Sequence, residues 1–167
     1  MLSANAVLSG TDELIAEPYI IKEMGGHQIA IIGLTGGKDT AEVQIRPPLT
    51  TARQVVAELT PQADIIIILS HAGLSVDRQI AQEVSGVDLI ISGGREHPKV
   101  PVYDPQRGVL VVHADVATRG HAGRRIGIAY LKFDSQGRLI HQKWVNKWLD
   151  DKIPDDPDIA AWARKQR

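Results

Sequence analysis

The sequence predicts an α/β domain whose sheet has a parallel centre, and three observations carry that reading. Residues 65–69, Ile-Ile-Ile-Ile-Leu, form an aliphatic run with no polar alternation, bounded by Pro61 and by Ser70-His71-Ala72-Gly73. Runs of this kind belong to central strands covered on both faces. Helical spacing over residues 76–84 leads to a second aliphatic run at 87–91, closed by Gly93-Gly94; strand, helix and strand thus follow within about 30 residues, the length of a βαβ unit. Aromatic residues make up only 4% of the chain, a balance that favours an aliphatic core over an aromatic-rich binding module.

A chain of 167 residues is long enough to bury a sizeable core without disulfides or metals. Its 19 basic and 20 acidic side chains give a formal net charge of −1, so no chain-wide field attracts nucleic acid or an anionic surface. The absence of cysteine excludes thiol nucleophiles, thiolate metal sites and iron–sulfur clusters, leaving His, Asp, Glu and Asn as the ligand chemistry. The longest apolar run falls far below the ~20 residues of a membrane span, and no basic-then-apolar leader follows Met1, so the sequence predicts a soluble chain carrying no address signal.

The elements follow in order. Ser9-Gly10-Thr11-Asp12 reads as a turn. Residues 19–24 and 27–33, separated by Gly25-Gly26, read as a hairpin entering a buried sheet. The stretch 34–49, rich in Gly and Thr and ending Pro47-Pro48, reads as a long loop. Thr50 or Thr51 caps a helix to about Leu59, because Ala52, Val55, Val56 and Leu59 share one face. Beyond a loop at 98–108, the runs 109–114, 126–133 and 139–148 are joined by glycine-containing turns and are expected to be antiparallel strands. Residues 1–149 are expected to form one partial domain. Residues 150–167 then make an acidic, proline-marked joint and a short helix with basic residues at its C-terminal end, where the macrodipole favours them.

Two histidines stand out by position. His71 lies two residues past the run at 65–69 and His97 just past the next run. If those strands are neighbours, both imidazoles gather at one carboxyl edge, where open α/β sheets bind ligands. Two histidines can share a divalent metal, but a stable site needs three or four ligands, and hydrogen-bonded strand ends explain the same spacing. The loop Gly33-Leu34-Thr35-Gly36-Gly37-Lys38-Asp39-Thr40 is not a phosphate loop, because Ile32 and Asp39 stand where that pattern needs glycine and a hydroxyl. His113, Arg119, His121, Arg124 and Arg125 form a cationic cluster expected on a solvated loop that could face a phosphate or sulfate. His27 and His141 are expected at the surface. Trp144, Trp148 and Trp162 are expected to anchor the terminal strand and helix, since no basic groove surrounds them for stacking on bases.

Segment order then matters more than any single spacing. Leu2-Ser-Ala-Asn5, Pro18-Tyr-Ile-Ile-Lys-Glu23, Ile29-Ala-Ile-Ile-Gly-Leu-Thr35, Leu69-Ser-His-Ala-Gly73, Val87-Asp-Leu-Ile-Ile-Ser-Gly-Gly94 with His97, Val109-Leu-Val-Val112 and Ile153-Pro-Asp-Asp-Pro157 run collinearly along the chain. In that order they resemble the calcineurin-like metallophosphoesterases, specifically the 5′-nucleotidase branch. The resemblance implies the second half of a four-layer α/β/β/α sandwich with a mixed sheet, a scaffold shared with the thiosulfohydrolases of sulfur oxidation. It implies a family that hydrolyses phosphate esters with divalent metal (Mn, Zn or Fe), and it assigns His71 and His97 as metal ligands.

The resemblance also marks what is missing. The family's Asp-x-His, second Asp and Gly-Asn-His-Glu segments have no counterpart here and would lie upstream of Leu2; Asn5 is followed by Ala6 where such a motif has histidine. Arg95 stands at the first histidine of the family's Gly-His-x-His pair. A guanidinium has no lone pair to give a metal, but it can hold a phosphate or sulfate anion directly. The chain alone is therefore expected to have negligible phosphatase activity. Half a sandwich should also leave an apolar face or edge that recruits a missing N-terminal half, another copy of the chain or a larger assembly. No nucleic acid and no membrane span are expected.

Overall fold

The computed structural model describes residues 1–94, 102–104, 106–114, 125–150 and 152–166. The β2(Tyr19–Met24)/β3(His27–Leu34) hairpin lies where the paired apolar runs place it, with Gly25 and Gly26 at φ +62° and +83° in the turn. From there the chain passes through α1(Pro48–Leu59), β5(Ile65–Ser70), α2(Leu74–Glu83) and β6(Leu89–Ser92). The six-stranded sheet has the order β2-β3-β5-β6-β8-β7, where β7 is Val102–Asp104 and β8 is Val109–Val112. Its four central strands are parallel, and antiparallel β2 and β7 close the two edges. This is the mixed α/β sheet expected from the sequence.

Both helices lie on one sheet face. Ala52, Val56 and Leu59 of α1 and Leu74, Ile80 and Ala81 of α2 pack on Ala30, Ile32, Ile66, Ile68, Ile90 and Val111. The period-2 geometry of strands sends the alternate residues to the other face. There Leu89, Leu110 and Val112, with Ile67, meet Leu131, Leu139 and Trp144 of the hairpin β9(Arg125–Phe133)/β10(Leu139–Trp148). That cover is partial: Leu69 and Ile91, register partners near the carboxyl ends of β5 and β6, remain 40% and 42% exposed.

Several expectations are corrected. The run at 109–114 does not pair with the run at 126–133, which forms a separate two-stranded sheet with 139–148. The strand at 109–112, β8, runs parallel to β6 and antiparallel to the short β7, which forms inside the expected loop at 98–108. Each of its four residues is buried, the signature of a central strand and not of a meander. The stretch 34–49 is likewise not all loop: β4(Val43–Ile45) pairs with β1(Ala6–Leu8) in a separate two-stranded sheet. Asn5 secures that corner. Fully buried, it donates from Nδ2 to the carbonyls of Thr35 (2.8 Å) and Arg46 (3.0 Å) and accepts the Thr35 N–H at Oδ1 (2.8 Å). Helix α1 starts at Pro48 with no side-chain cap, because proline at the first position needs no donor partner.

The tryptophans divide. Trp144 packs into the core and lies over Gly127, where any Cβ would collide with its ring. Trp148 stacks under the Arg125 guanidinium, 3.9 Å from its ring centroid. Trp162 anchors nothing: it is 62% exposed on α3(Pro157–Lys165), a helix that buries none of its residues. Among the described residues, no helix is long and apolar enough to cross a membrane.

Candidate functional site

The carboxyl ends of β5 and β6 are side by side, with Ser70 and Ser92 as register partners. Between them sits Asp77, the fourth residue of α2 and wholly buried. Its Oδ1 accepts the Ser70 hydroxyl at 2.5 Å, and its Oδ2 accepts the Ser92 hydroxyl. Ser70 Oγ in turn accepts the Ala72 N–H at 3.0 Å, and the Gly93 N–H donates to the Ser70 carbonyl at 2.7 Å. One carboxylate thus ties together the two turns that leave the parallel strands. Burial pushes the Asp77 carboxyl up from its ordinary value; the hydrogen bonds from Ser70 and Ser92 and the charges of His113 and His71 oppose that rise.

His71 projects from the first of these turns. Its N–H donates to the Leu34 carbonyl at 2.8 Å, and its side of the loop is pressed on Gly36, where a Cβ would collide with the His71 carbonyl. The residue is exposed and borders a shallow cavity of about 320 Å³ together with Leu2, Thr35, Ile91 and Gly93. The expected carboxyl-edge position of His71 is therefore observed. His97 and Arg95 lie outside the described residues, as do Arg119, His121 and Arg124.

His113 departs from the expected solvated cluster. It is buried at the end of β8, and its Nε2 meets the Gly94 carbonyl at 3.3 Å. The folded chain thus brings His71, Asp77 and His113 to one rim. Arg125 is engaged with Trp148. His141 is exposed as expected, but His27 is only partly so, with Nδ1 3.7 Å from Asp64 Oδ2.

The donor set at this rim does not make a complete metal centre. Both Asp77 oxygens are occupied by serine hydroxyls, and no group of three His, Asp or Glu among the described residues is placed to hold a metal ion. A structural or catalytic metal needs at least three protein ligands, so His71 is a contributor to a site and not a site. A larger cavity, about 550 Å³, lies at the opposite end of the strands between Asp64, Asp88, Arg107 and Arg138. Two carboxylates offset two guanidiniums there, and no sign of charge dominates. Asp88 accepts the Ile66 N–H at 2.8 Å, and burial pushes its carboxyl up to about 6.

Ser70, Asp77 and Ser92 were not singled out from the sequence. The signal was present as a serine ending each of two apolar runs and an aspartate seven residues after the first, but it becomes readable only once the strands are known to be neighbours.

No protein-family profile matches the chain. It is similar to bovine 5′-nucleotidase, with 26% identity over 191 residues covering 99% of this chain and 32% of the relative. The solved structure of a 5′-nucleotidase precursor from Thermus thermophilus superposes with a TM-score of 0.79 at 26% identity, covering 99% of this chain and 36% of that one. The sulfate thiohydrolase SoxB from the same genus shares the fold, with a TM-score of 0.83 at 20% identity over 99% of this chain. The chain spans about a third of the length of the curated relatives it matches. Strand order and this similarity along nearly the whole chain agree: the chain is a homologue of the 5′-nucleotidases, consistent with the C-terminal half of their metallophosphoesterase domain.

Proposed function

We propose that this chain is the ligand-supplying second half of a phosphoesterase site and does not hydrolyse phosphate esters by itself. The observation that carries the reading is the exposed His71 residue at the carboxyl rim, beside a cavity and, among the described residues, in no group of three His, Asp or Glu placed to hold a metal. In this reading His71 and His97 each give an imidazole nitrogen to a divalent metal whose other ligands come from an N-terminal half. The metal, once held, supplies Lewis-acid stabilisation of charge and a water acidic enough to ionise near neutral pH. Arg95 holds a phosphate or sulfate oxygen through charge-assisted hydrogen bonds.

The test is direct. The purified chain, given Mn²⁺ with nucleoside monophosphates or a bis-aryl phosphate, is expected to show no turnover above buffer. Mn²⁺-dependent turnover that disappears in His71→Ala would overturn the proposal. Phosphate or sulfate titration is expected to lose its response in Arg95→Ala; an unchanged response removes the role given to that arginine.

A second reading is a noncatalytic module that keeps the half-sandwich as a docking element. Arginine at position 95, where the resembled family has a metal-binding histidine, favours it. The two readings part when the N-terminal half of a relative is joined to this chain: restored hydrolysis supports the first, and a folded but inactive product supports the second.

A further inference from the structure

Strand alternation gives the β9/β10 hairpin two unlike faces. Register pairs Gly127 with Asn146, Ala129 with Trp144 and Leu131 with Gln142 on the face that packs against the sheet. The opposite face pairs Ile126 with Lys147, Ile128 with Val145, Tyr130 with Lys143 and Lys132 with His141. It carries no acidic residue. Its Ile126 and Tyr130 are 48% and 54% exposed, and among the described residues no carboxylate forms an ion pair with Lys132, Lys143 or Lys147.

The segment that follows is the complement of this face. Residues 150–158 contain five aspartates and one lysine, whereas residues 125–148 contain five basic side chains and one aspartate. Directly after the acidic joint, α3 presents Ile159 and Trp162, three residues apart and hence on one helix face, at 65% and 62% exposure. Helix α3 buries none of its residues against its own chain. The joint is held by local bonds, from Lys152 N–H to Asp150 Oδ1 (3.1 Å) and from the Asp158 and Ile159 N–H groups to Asp156 Oδ1 (3.0 Å each). One chain thus carries a cationic, apolar sheet face and an anionic, apolar tail, and among the described residues no ion pair joins them.

We infer that the occupant of the outer hairpin face is the acidic joint and α3 of a second copy of this chain. Reciprocal exchange closes the contact as a two-fold dimer in which each tail lies on the partner's hairpin, with no open end to propagate. Charge complementarity supplies register and salt dependence. Burial of Ile126, Tyr130, Ile159 and Trp162 supplies the apolar centre around which such contacts form. The inference does not depend on the proposed chemistry at His71.

Sedimentation velocity and light scattering of the full chain test it. A dimer with a dissociation constant on the order of tens of micromolar is expected, weakening at least about tenfold between roughly 50 and 500 mM NaCl as the charges are screened. Lys132→Glu/Lys143→Glu/Lys147→Glu is expected to be monomeric, and so is Asp150→Lys/Asp151→Lys/Asp155→Lys, which turns the acidic joint net positive. Mixing the two charge-reversed variants is expected to restore association, because each reversed face then meets a reversed tail. Trp162→Ala is expected to weaken the dimer at every salt concentration. The inference fails if the wild-type chain is monomeric throughout, if its dimer ignores these substitutions, or if the mixture stays monomeric. It also fails if Trp162 fluorescence shifts with salt but not with protein concentration, which would mean the tail folds onto its own hairpin. Co-sedimentation of a monomeric wild-type chain with phosphatidylserine vesicles would reassign the face to a membrane surface.

Discussion

The hydroxyl of Ser70, at the end of β5, donates a 2.5 Å hydrogen bond to Oδ1 of Asp77 on the helix that follows. With Ser92 on the other oxygen, this places one buried carboxylate under both turns of the carboxyl rim. Asp77→Ala leaves two buried hydroxyls without their acceptor and opens a void, and is expected to cost about 2–4 kcal/mol. Urea denaturation measures that loss. Asp77→Asn keeps the volume and part of the hydrogen bonding and is expected to cost clearly less; a loss as large as that of Asp77→Ala would mean that the two-oxygen carboxylate, and not the filled volume, sets the role of Asp77.

Asp88 makes the pH dependence specific. Burial raises its carboxyl to about 6 from an ordinary 3.8, so the folded state binds its proton more tightly than the unfolded state does. Its protonated form adds stability that is fully present below about pH 4 and lost as pH rises through about 6. Asp88 is partly exposed, so the loss is expected to be about 1–2 kcal/mol, smaller than the bare conversion of the shift. In Asp88→Asn that slope is expected to vanish, making the variant more stable than wild type at pH 8 relative to pH 4.5. Paired urea melts at the two pH values check it, and parallel curves for the two proteins would contradict the buried-carboxyl account.

Asn5 fills three backbone hydrogen bonds at the corner where the first residues cross the end of β3. Asn5→Ala is expected to destabilise the chain by about 2–4 kcal/mol, since it strands two carbonyls and one N–H in a buried setting. Hydrogen exchange is expected to speed up first at Thr35. Uniform acceleration across the sheet would show that the corner has no local role.

Leu69 and Ile91 form the uncovered part of the sheet face opposite the helices. Leu69→Ser with Ile91→Thr is expected to cost about 2–3 kcal/mol, less than two fully buried aliphatic side chains would, because each residue is only partly covered. Binding of a hydrophobic dye should fall in the same variant, reporting loss of the exposed patch. A loss above about 5 kcal/mol would mean that these side chains are fully buried in solution.

The strands and crossovers that position His71 were legible because local composition decides them. Residues 65–69 have no polar alternation, so no one-sided surface placement suits them, and the Gly25-Gly26 turn leaves the hairpin of β2 and β3 one direction. The resemblance to the 5′-nucleotidases rested on segment order, which is itself a property of sequence. Tertiary structure alone decided what depends on neighbours distant in the chain. The parallel direction of β8 follows from the short strand β7 inserted before it, and no periodicity within Val109–Val112 encodes that. His113 reads as a solvated cation until the sheet edge closes over it beside Gly94. Trp162 reads as an anchor until α3 is seen to leave it 62% exposed and to bury none of its residues. Burial and partnership belong to pairs of segments, and those pairs exist only once the sheet has assembled.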